Sequence, residues 1–141
     1  MFIVDANVLL YATNKQASQH VTARIWLDSA LSATEPVGFP WVIVLAFVRL
    51  TTRSGVLPNP LTPKVALDVV EAWLAQPVAT EVAPTSRHFT VFRGLVEQVG
   101  SAGNLTTDAH LAALAIEHGA ELVSFDRDVQ RFPGLRSRLL I

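Results

Sequence analysis

Two short apolar runs in this chain each end on an aspartate: Phe2-Ile3-Val4 runs into Asp5, and Leu122-Val123-Ser124-Phe125 runs into Asp126. Runs this short and this apolar read as buried strands, and the stretches between them carry helical spacing. Strands alternating with helices imply an α/β fold with a largely parallel sheet. In such a sheet the carboxyl ends of the strands share one edge, where ligands usually bind. Both aspartates fall at that edge.

The intervening elements follow from periodicity and punctuation. Val8-Leu9-Leu10-Tyr11 leads to a break at Thr13-Asn14, and Ser18 is placed to cap a helix with Val21, Ile25 and Trp26 as apolar positions. Glu35-Pro36 ends that region. Pro40 opens the run Trp41 to Leu50, whose length and leading proline favour a buried helix over a strand. Gly55, Pro58, Pro60 and Pro63 mark the longest loop. Thr62-Pro63 starts a helix with the stripe Ala66, Val70, Trp73 and Leu74, closed by Pro77. Thr80-Glu81-Val82-Ala83 reads as a second strand. Ser86 begins a helix with Phe92, Leu95, Val96 and Val99 inward, followed by the loop Gly100-Ser101-Ala102-Gly103-Asn104. Thr107 is placed to cap a helix from Asp108 to His118, with Leu111, Leu114 and Ala115 packed and Gly119 as its stop. Glu121 to Phe125 and Leu139-Leu140-Ile141 complete the strands. No repeat or linker interrupts residues 1–141, which read as one domain.

Asp108 sits in the first turn of the helix that leads into the strand ending on Asp126. Asp5, Asp108 and Asp126 therefore have a route to one edge, with Asp128 as a fourth candidate. Clustered carboxylates repel one another unless a cation joins them, and an all-oxygen site suits Mg²⁺ or Mn²⁺. Such an ion, with positions open to water and phosphate, is equipped for phosphodiester hydrolysis. Each placement also has a purely structural reading. Asp108 suits a helix dipole, Asp126-Arg127-Asp128 suits a polar turn, and Asp5 suits a turn cap. Other chemistry lacks its residues: there is no Gly-rich phosphate loop, His20, His88, His110 and His118 fit no zinc spacing, and Ser86 and Ser124 lack a paired base.

Composition narrows the setting. Half the residues are hydrophobic, 16% are charged and cysteine is absent, which excludes disorder, disulfides and thiolate metal sites. So little charge hints at apolar surface covered by a partner. The N-terminus lacks the basic region of a signal peptide, and no apolar run approaches the roughly 20 residues that span a bilayer. The expectation is a soluble, cytoplasmic protein without a membrane partner. The net charge of -1 gives no global attraction to nucleic acid, although Arg127, Arg131, Arg136 and Arg138 crowd the C-terminus, either as a basic patch or as a solvated tail.

These residues resemble a known family. Ile3-Val4-Asp5-Ala6-Asn7-Val8-Leu9-Leu10-Tyr11-Ala12 is similar to the opening of PIN domains. Thr107-Asp108-Ala109-His110-Leu111-Ala112-Ala113-Leu114-Ala115 resembles their third acidic motif, and Leu122 to Asp128 the strand and acidic turn after it. The compact length and the ending Arg131-Phe132-Pro133-Gly134-Leu135 resemble VapC-type toxins in particular. The resemblance implies an α/β/α sandwich, a Mg²⁺- or Mn²⁺-dependent endoribonuclease toxin, a homodimer, an RNA substrate and inhibition by a cognate VapB-type antitoxin. It places Asp5, Asp108 and Asp126 in the catalytic, metal-holding positions with Asp128 beside them. Asn7 and Thr107 then stand as polar supports, and Arg49, Arg53 and Arg127 as phosphate contacts.

One position departs from the pattern. Where many PIN domains carry a glutamate, this chain reads Leu45-Ala46-Phe47-Val48-Arg49, with Ala46 in place of the acid. The alternatives to a toxin are therefore a PIN-like RNA- or protein-binding module weakened in catalysis, and an RNA- or DNA-processing nuclease. An antitoxin is expected to use an apolar element against the run Trp41 to Val48 and the Trp73 helix, and a basic element against the carboxylates.

Overall fold

The computed structural model describes residues 1–100 and 103–141, so Ser101 and Ala102 of the expected glycine-rich loop lie outside the described residues. The chain runs β1 (Phe2–Val4), α1 (Ala6–Thr13), α2 (His20–Leu31), β2 (Val37–Pro40), α3 (Trp41–Thr52), α4 (Pro63–Leu74) and β3 (Ala79–Val82). It continues with α5 (His88–Val99), a 3-10 turn η1 (Gly103–Leu105), α6 (Thr106–Glu117), β4 (Glu121–Ser124), a second 3-10 turn η2 (Arg127–Arg131) and β5 (Arg136–Leu139).

The five strands form one sheet in the order β3-β2-β1-β4-β5, and every neighbouring pair is parallel. From β1 the chain steps outward through β2 to β3, then crosses back to lay β4 on the other side of β1. Right-handed crossovers in opposite directions put their helices on opposite faces. Accordingly α1 packs on α2 and α3, and α3 on α4, while α5 and α6 pack together. The result is the expected three-layer α/β/α arrangement. One core joins the sheet to α1–α4 and to Leu111, Leu114 and Ala115 of α6. A second gathers Leu95, Ala109, Ala112, Ala113 and Phe132 between α5 and α6. Buried alanines on α6 let it lie close to both neighbours.

Several local expectations are corrected. Val37–Pro40 is a fully buried strand although Gly38 and Pro40 punctuate it like a loop. Gly38 is required there: a Cβ on it would lie 2.5 Å from Val82 Cγ2 and 3.2 Å from Ile3 Cγ1. Residues 6–13 form a helix rather than an unassigned stretch. Helix α2 is rotated from its expected face, because Ala23, Leu27, Ala30 and Leu31 are buried while Val21 and Ile25 are 64% and 63% exposed. Thr62 caps α4 as read, accepting from the Val65 N–H at 3.2 Å. Ser18, Ser86 and Thr107 cap nothing; the caps are Gln19, Arg87 and Leu105, none with a side-chain bond. The last strand is Arg136–Leu139, ending where Leu139-Leu140-Ile141 was expected to begin. Its arginines are no free tail, since Arg138 pairs with Glu121 at 3.0 Å and lies over the Phe2 ring. The run Trp41 to Leu50 is helical as expected, within a helix that continues to Thr52, but it turns Ile43, Val44 and Phe47 inward and leaves Trp41 and Leu45 exposed. No helix among the described residues is long and apolar enough to cross a membrane.

Candidate functional site

The strand order makes β1 and β4 the neighbours at which the chain reverses its direction of stepping across the sheet. A crevice opens beyond the carboxyl ends of such a pair. Asp5 follows β1 and Asp126 follows two residues after β4, so both stand at that point.

Asp5 is buried and held on both oxygens. Its Oδ1 accepts from the Ala6 N–H at 2.7 Å, capping α1, so the acid has the structural duty that the sequence left open. Its Oδ2 accepts from Ser124 Oγ at 2.7 Å and Asn7 Nδ2 at 3.2 Å. Burial pushes its pKa up most, hydrogen bonds from Ser124 and Ala6 oppose that, and the charge of Asp126 adds to the rise; the balance is upward. The Asn7 Nδ2 also donates to Ser124 Oγ at 2.9 Å, and its Oδ1 accepts from the Phe125 N–H at 3.1 Å.

Asp126 caps η2 by accepting from the Asp128 N–H on Oδ1 at 2.9 Å, and its own N–H donates to Ser124 Oγ at 3.0 Å. Its Oδ2 has no partner among the described residues. Asp108 is half-buried in the first turn of α6, and no hydrogen bond among the described residues engages its carboxyl. Its pKa is pushed up to about 6, by burial first and then by the charges of Asp5, Asp126 and Asp128. Asp108 thus feels the charges of the other three carboxylates, Asp5 also feels that of Asp126, and Asp128 is exposed.

The donor set is all oxygen and carries a surplus of negative charge, which fits a hard divalent cation. No group of three or more His, Asp or Glu side chains among the described residues is close enough as it stands to hold a metal ion. Closing the cluster therefore requires side-chain rotation, for which Asp108 and Asp126 retain unengaged oxygens while Asp5 is fixed.

The other candidates divide. Thr107 is exposed and makes no hydrogen bond among the described residues. Arg49, Arg53 and Arg127 are exposed with guanidinium groups unpaired among the described residues. Ala46 is half-buried on α3. Residues 42, 46, 49 and 53 recur at helical spacing, so Ala46 and Arg49 share a stripe with Val42, which lines a cavity with Thr107. The residue that sequence reading missed is Ser124. Fully buried, it joins Asp5, Asn7 and Asp126 through one hydroxyl. A lone hydroxyl inside an apolar strand two residues before an acid is the signal that was available.

With this geometry in hand, known proteins give a consistent match. The PIN domain family profile matches residues 2–135. Ribonuclease VapC37 of Mycobacterium tuberculosis is 52% identical over 136 residues, covering 96% of this chain and 94% of the relative. Ribonuclease VapC43 of the same organism is 39% identical over 138 residues, covering 98% and 94%. Among solved structures, VapBC2 from Rickettsia felis bound to a promoter DNA fragment has a TM-score of 0.74 at 15% identity, covering 99% of this chain and 98% of that one. VapC20 of Mycobacterium tuberculosis, described as a sarcin-ricin loop cleaving toxin, has a TM-score of 0.64 at 18% identity over 96% and 99%. The structural likenesses speak for the fold; the matches in sequence carry the assignment further, and the chain belongs to the PIN-domain family, within its VapC group.

Proposed function

We propose that this chain is an endoribonuclease toxin that depends on Mg²⁺ or Mn²⁺ and is silenced by a VapB-type antitoxin. The observation that carries this reading is that Asp5 after β1 and Asp126 after β4 are joined through the Ser124 hydroxyl at the carboxyl edge of the sheet, with Asp108 near enough to feel both charges. Asp5, Asp108 and Asp126 would hold the cation, with Asp128 beside them. The cation supplies an acidified water and neutralises charge at the phosphate when bound. Ser124 and Asn7 keep Asp5 from turning away. Arg49, Arg53 and Arg127 contact the RNA backbone, positioning it without reading its sequence.

Two surfaces suit the partners. A groove between α2 and α4, where Leu27, Val69 and Trp73 lie among the polar Lys15, Arg24 and Asp28, accepts an amphipathic helix of the antitoxin. Trp41 and Leu45 of α3 and Phe89 of α5 are exposed, and a second copy of the chain covers them in a homodimer. Ala46 favours one other reading, a PIN-like RNA- or protein-binding module with weakened catalysis. End mapping of RNA incubated with Mg²⁺, with Mn²⁺ or with EDTA decides between them. Cleavage is expected with a cation and not with EDTA, and is lost in Asp5→Asn and Asp108→Asn proteins that keep their thermal transition. Full cation-dependent cleavage by both variants overturns the site, and no cleavage by the wild type leaves the binding module.

A further inference from the structure

Asp126 stands outside the sheet. β4 ends at Ser124, and the last residue of β1 paired with it is Val4, opposite Val123. Past that end, Asp126 is exposed, and its carboxyl accepts from the Asp128 N–H of its own turn. Its N–H reaches back to Ser124 Oγ at 3.0 Å, which ties the turn to the strand end. How the turn is aimed then depends on what holds the residue between, Phe125.

Helix α1 holds Phe125 at two heights. The Phe125 N–H donates to Asn7 Oδ1 at 3.1 Å. Its ring meets that of Tyr11 edge to face, with centroids 5.1 Å apart and an interplanar angle of 86°. Asn7 and Tyr11 stand at i and i+4 in α1, one above the other on a single face. One hydrogen bond by itself leaves a pivot, and a second contact a helical turn away removes it. The same helix is fixed to Asp5, which caps its first turn from Oδ1. Its far end is held too: the Tyr11 carbonyl accepts from His20 Nδ1 at 2.8 Å. Tyr11 and Phe125 are both partly buried against the main core, and a ring pair in this geometry gains more than its buried area alone supplies.

We propose that Tyr11 and Phe125 are positioning residues, whose ring contact aims the Asp126 turn at Asp5. They act through the backbone of that turn and leave the Asp126 carboxyl free to rotate. The proposal rests on the reading of the acidic edge as a cation site. Tyr11 acts through its ring, since no hydrogen bond among the described residues engages its hydroxyl. The fold supplies its own control. Phe2 and Trp26 form another edge-to-face pair, at 5.7 Å and 79°, and Phe2 starts β1 at the end remote from Asp5. A ring contact that serves packing alone behaves like that pair.

The test sets Tyr11→Leu, Phe125→Leu, Tyr11→Phe and Trp26→Leu beside the wild type, each as the full chain. Native-state hydrogen exchange in EDTA reads the Asp126 N–H with no cation present. In both positioning variants, Tyr11→Leu and Phe125→Leu, its protection is expected to fall about two- to tenfold further than that of core amides. Tyr11→Phe keeps the wild-type pattern, and Trp26→Leu lowers Asp126 protection no further than the core. Calorimetric titration with Mn²⁺ alone is expected to show affinity weakened by the same factor in those two variants and unchanged in Tyr11→Phe and Trp26→Leu. In RNA cleavage at limiting Mn²⁺, kcat falls while KM for RNA holds. A raised KM with unmoved Asp126 exchange makes the rings a substrate contact and overturns the proposal. Equal effects of Trp26→Leu and Tyr11→Leu on Asp126 exchange and Mn²⁺ affinity overturn it as well. A wild type that binds no Mn²⁺ but keeps the exchange pattern sinks the cation reading and leaves the aimed turn standing. Mn²⁺ binding that no variant alters, with exchange uniform across the chain, does the reverse.

Discussion

Ser124 Oγ lies 2.7 Å from Asp5 Oδ2, across 119 positions of sequence, and the same oxygen receives the Asp126 N–H at 3.0 Å. One hydroxyl therefore sets the orientation of the acid after β1 and the turn that carries the acid after β4. Removing it in Ser124→Ala leaves the Asn7 amide and the Asp126 N–H short of an acceptor in a buried setting. The expected loss of stability is about 1–3 kcal/mol in denaturant unfolding, with weaker cation binding and slower RNA cleavage. Unchanged cation affinity in a protein destabilised by that amount makes Ser124 merely structural.

The Asp108 carboxyl, pushed up to about 6, gives a pH signature with a definite sign. A folded-state value above the unfolded one means that ionisation opposes folding. The opposition is absent below the ordinary value of 3.8, grows as pH rises, and is complete above about 6. The difference in melting temperature between Asp108→Asn and wild type, in EDTA, should therefore widen from about pH 4 to about pH 6 and then level off. Mg²⁺ or Mn²⁺ should narrow it at neutral pH by offsetting the charge. A difference that stays flat across this range shows that neither burial nor the other acids raise the Asp108 carboxyl.

Ala46 is half-buried rather than sealed in the core, so a longer polar side chain has room to reach outward. Ala46→Glu is expected to tighten Mg²⁺ or Mn²⁺ binding by adding an oxygen donor, with little change in melting temperature. Lower stability without tighter binding shows that the stripe through Val42, Ala46 and Arg49 does not face the acids.

Gly38 carries a prediction about the sheet itself. A methyl group at this position meets Val82 Cγ2 at 2.5 Å and the Phe2 carbonyl oxygen at 3.2 Å, between strands that cannot both move aside. Gly38→Ala should lower stability by about 1–3 kcal/mol, measured by denaturant unfolding. Wild-type stability in this variant contradicts the register that sets Gly38 beside Ile3 and Thr80.

What the sequence disclosed was whatever is local and periodic. Apolar runs that end on Asp5 and Asp126 announce both strands and both acids, and Thr62-Pro63 announces a helix start that the structure keeps. Residues 37–40 hid a central strand because Gly38, needed for close packing against Val82, has the same spelling as a loop glycine. In α2 the buried face is built partly on Ala23 and Ala30, so the larger Val21 and Ile25 misdirected the reading toward the exposed side. The bridging role of Ser124 and the meeting of Tyr11 with Phe125 depend on segments far apart in the chain. Neither leaves a local pattern, and both became visible only with the fold.

The sheet order has a consequence for synthesis. Asp5 emerges from the ribosome early, yet its partner strand and the hydroxyl that fixes its side chain arrive 119 positions later. Domains of this kind acquire their long-range pairings only once the distant segment is available. While β4 is still within the exit tunnel, β1 is paired on its β2 side only, Asp126 is absent and the acidic edge is incomplete. A nascent chain that lacks β4 thus has no assembled acidic edge, and the cluster forms only once β4 and the turn after it can dock beside β1.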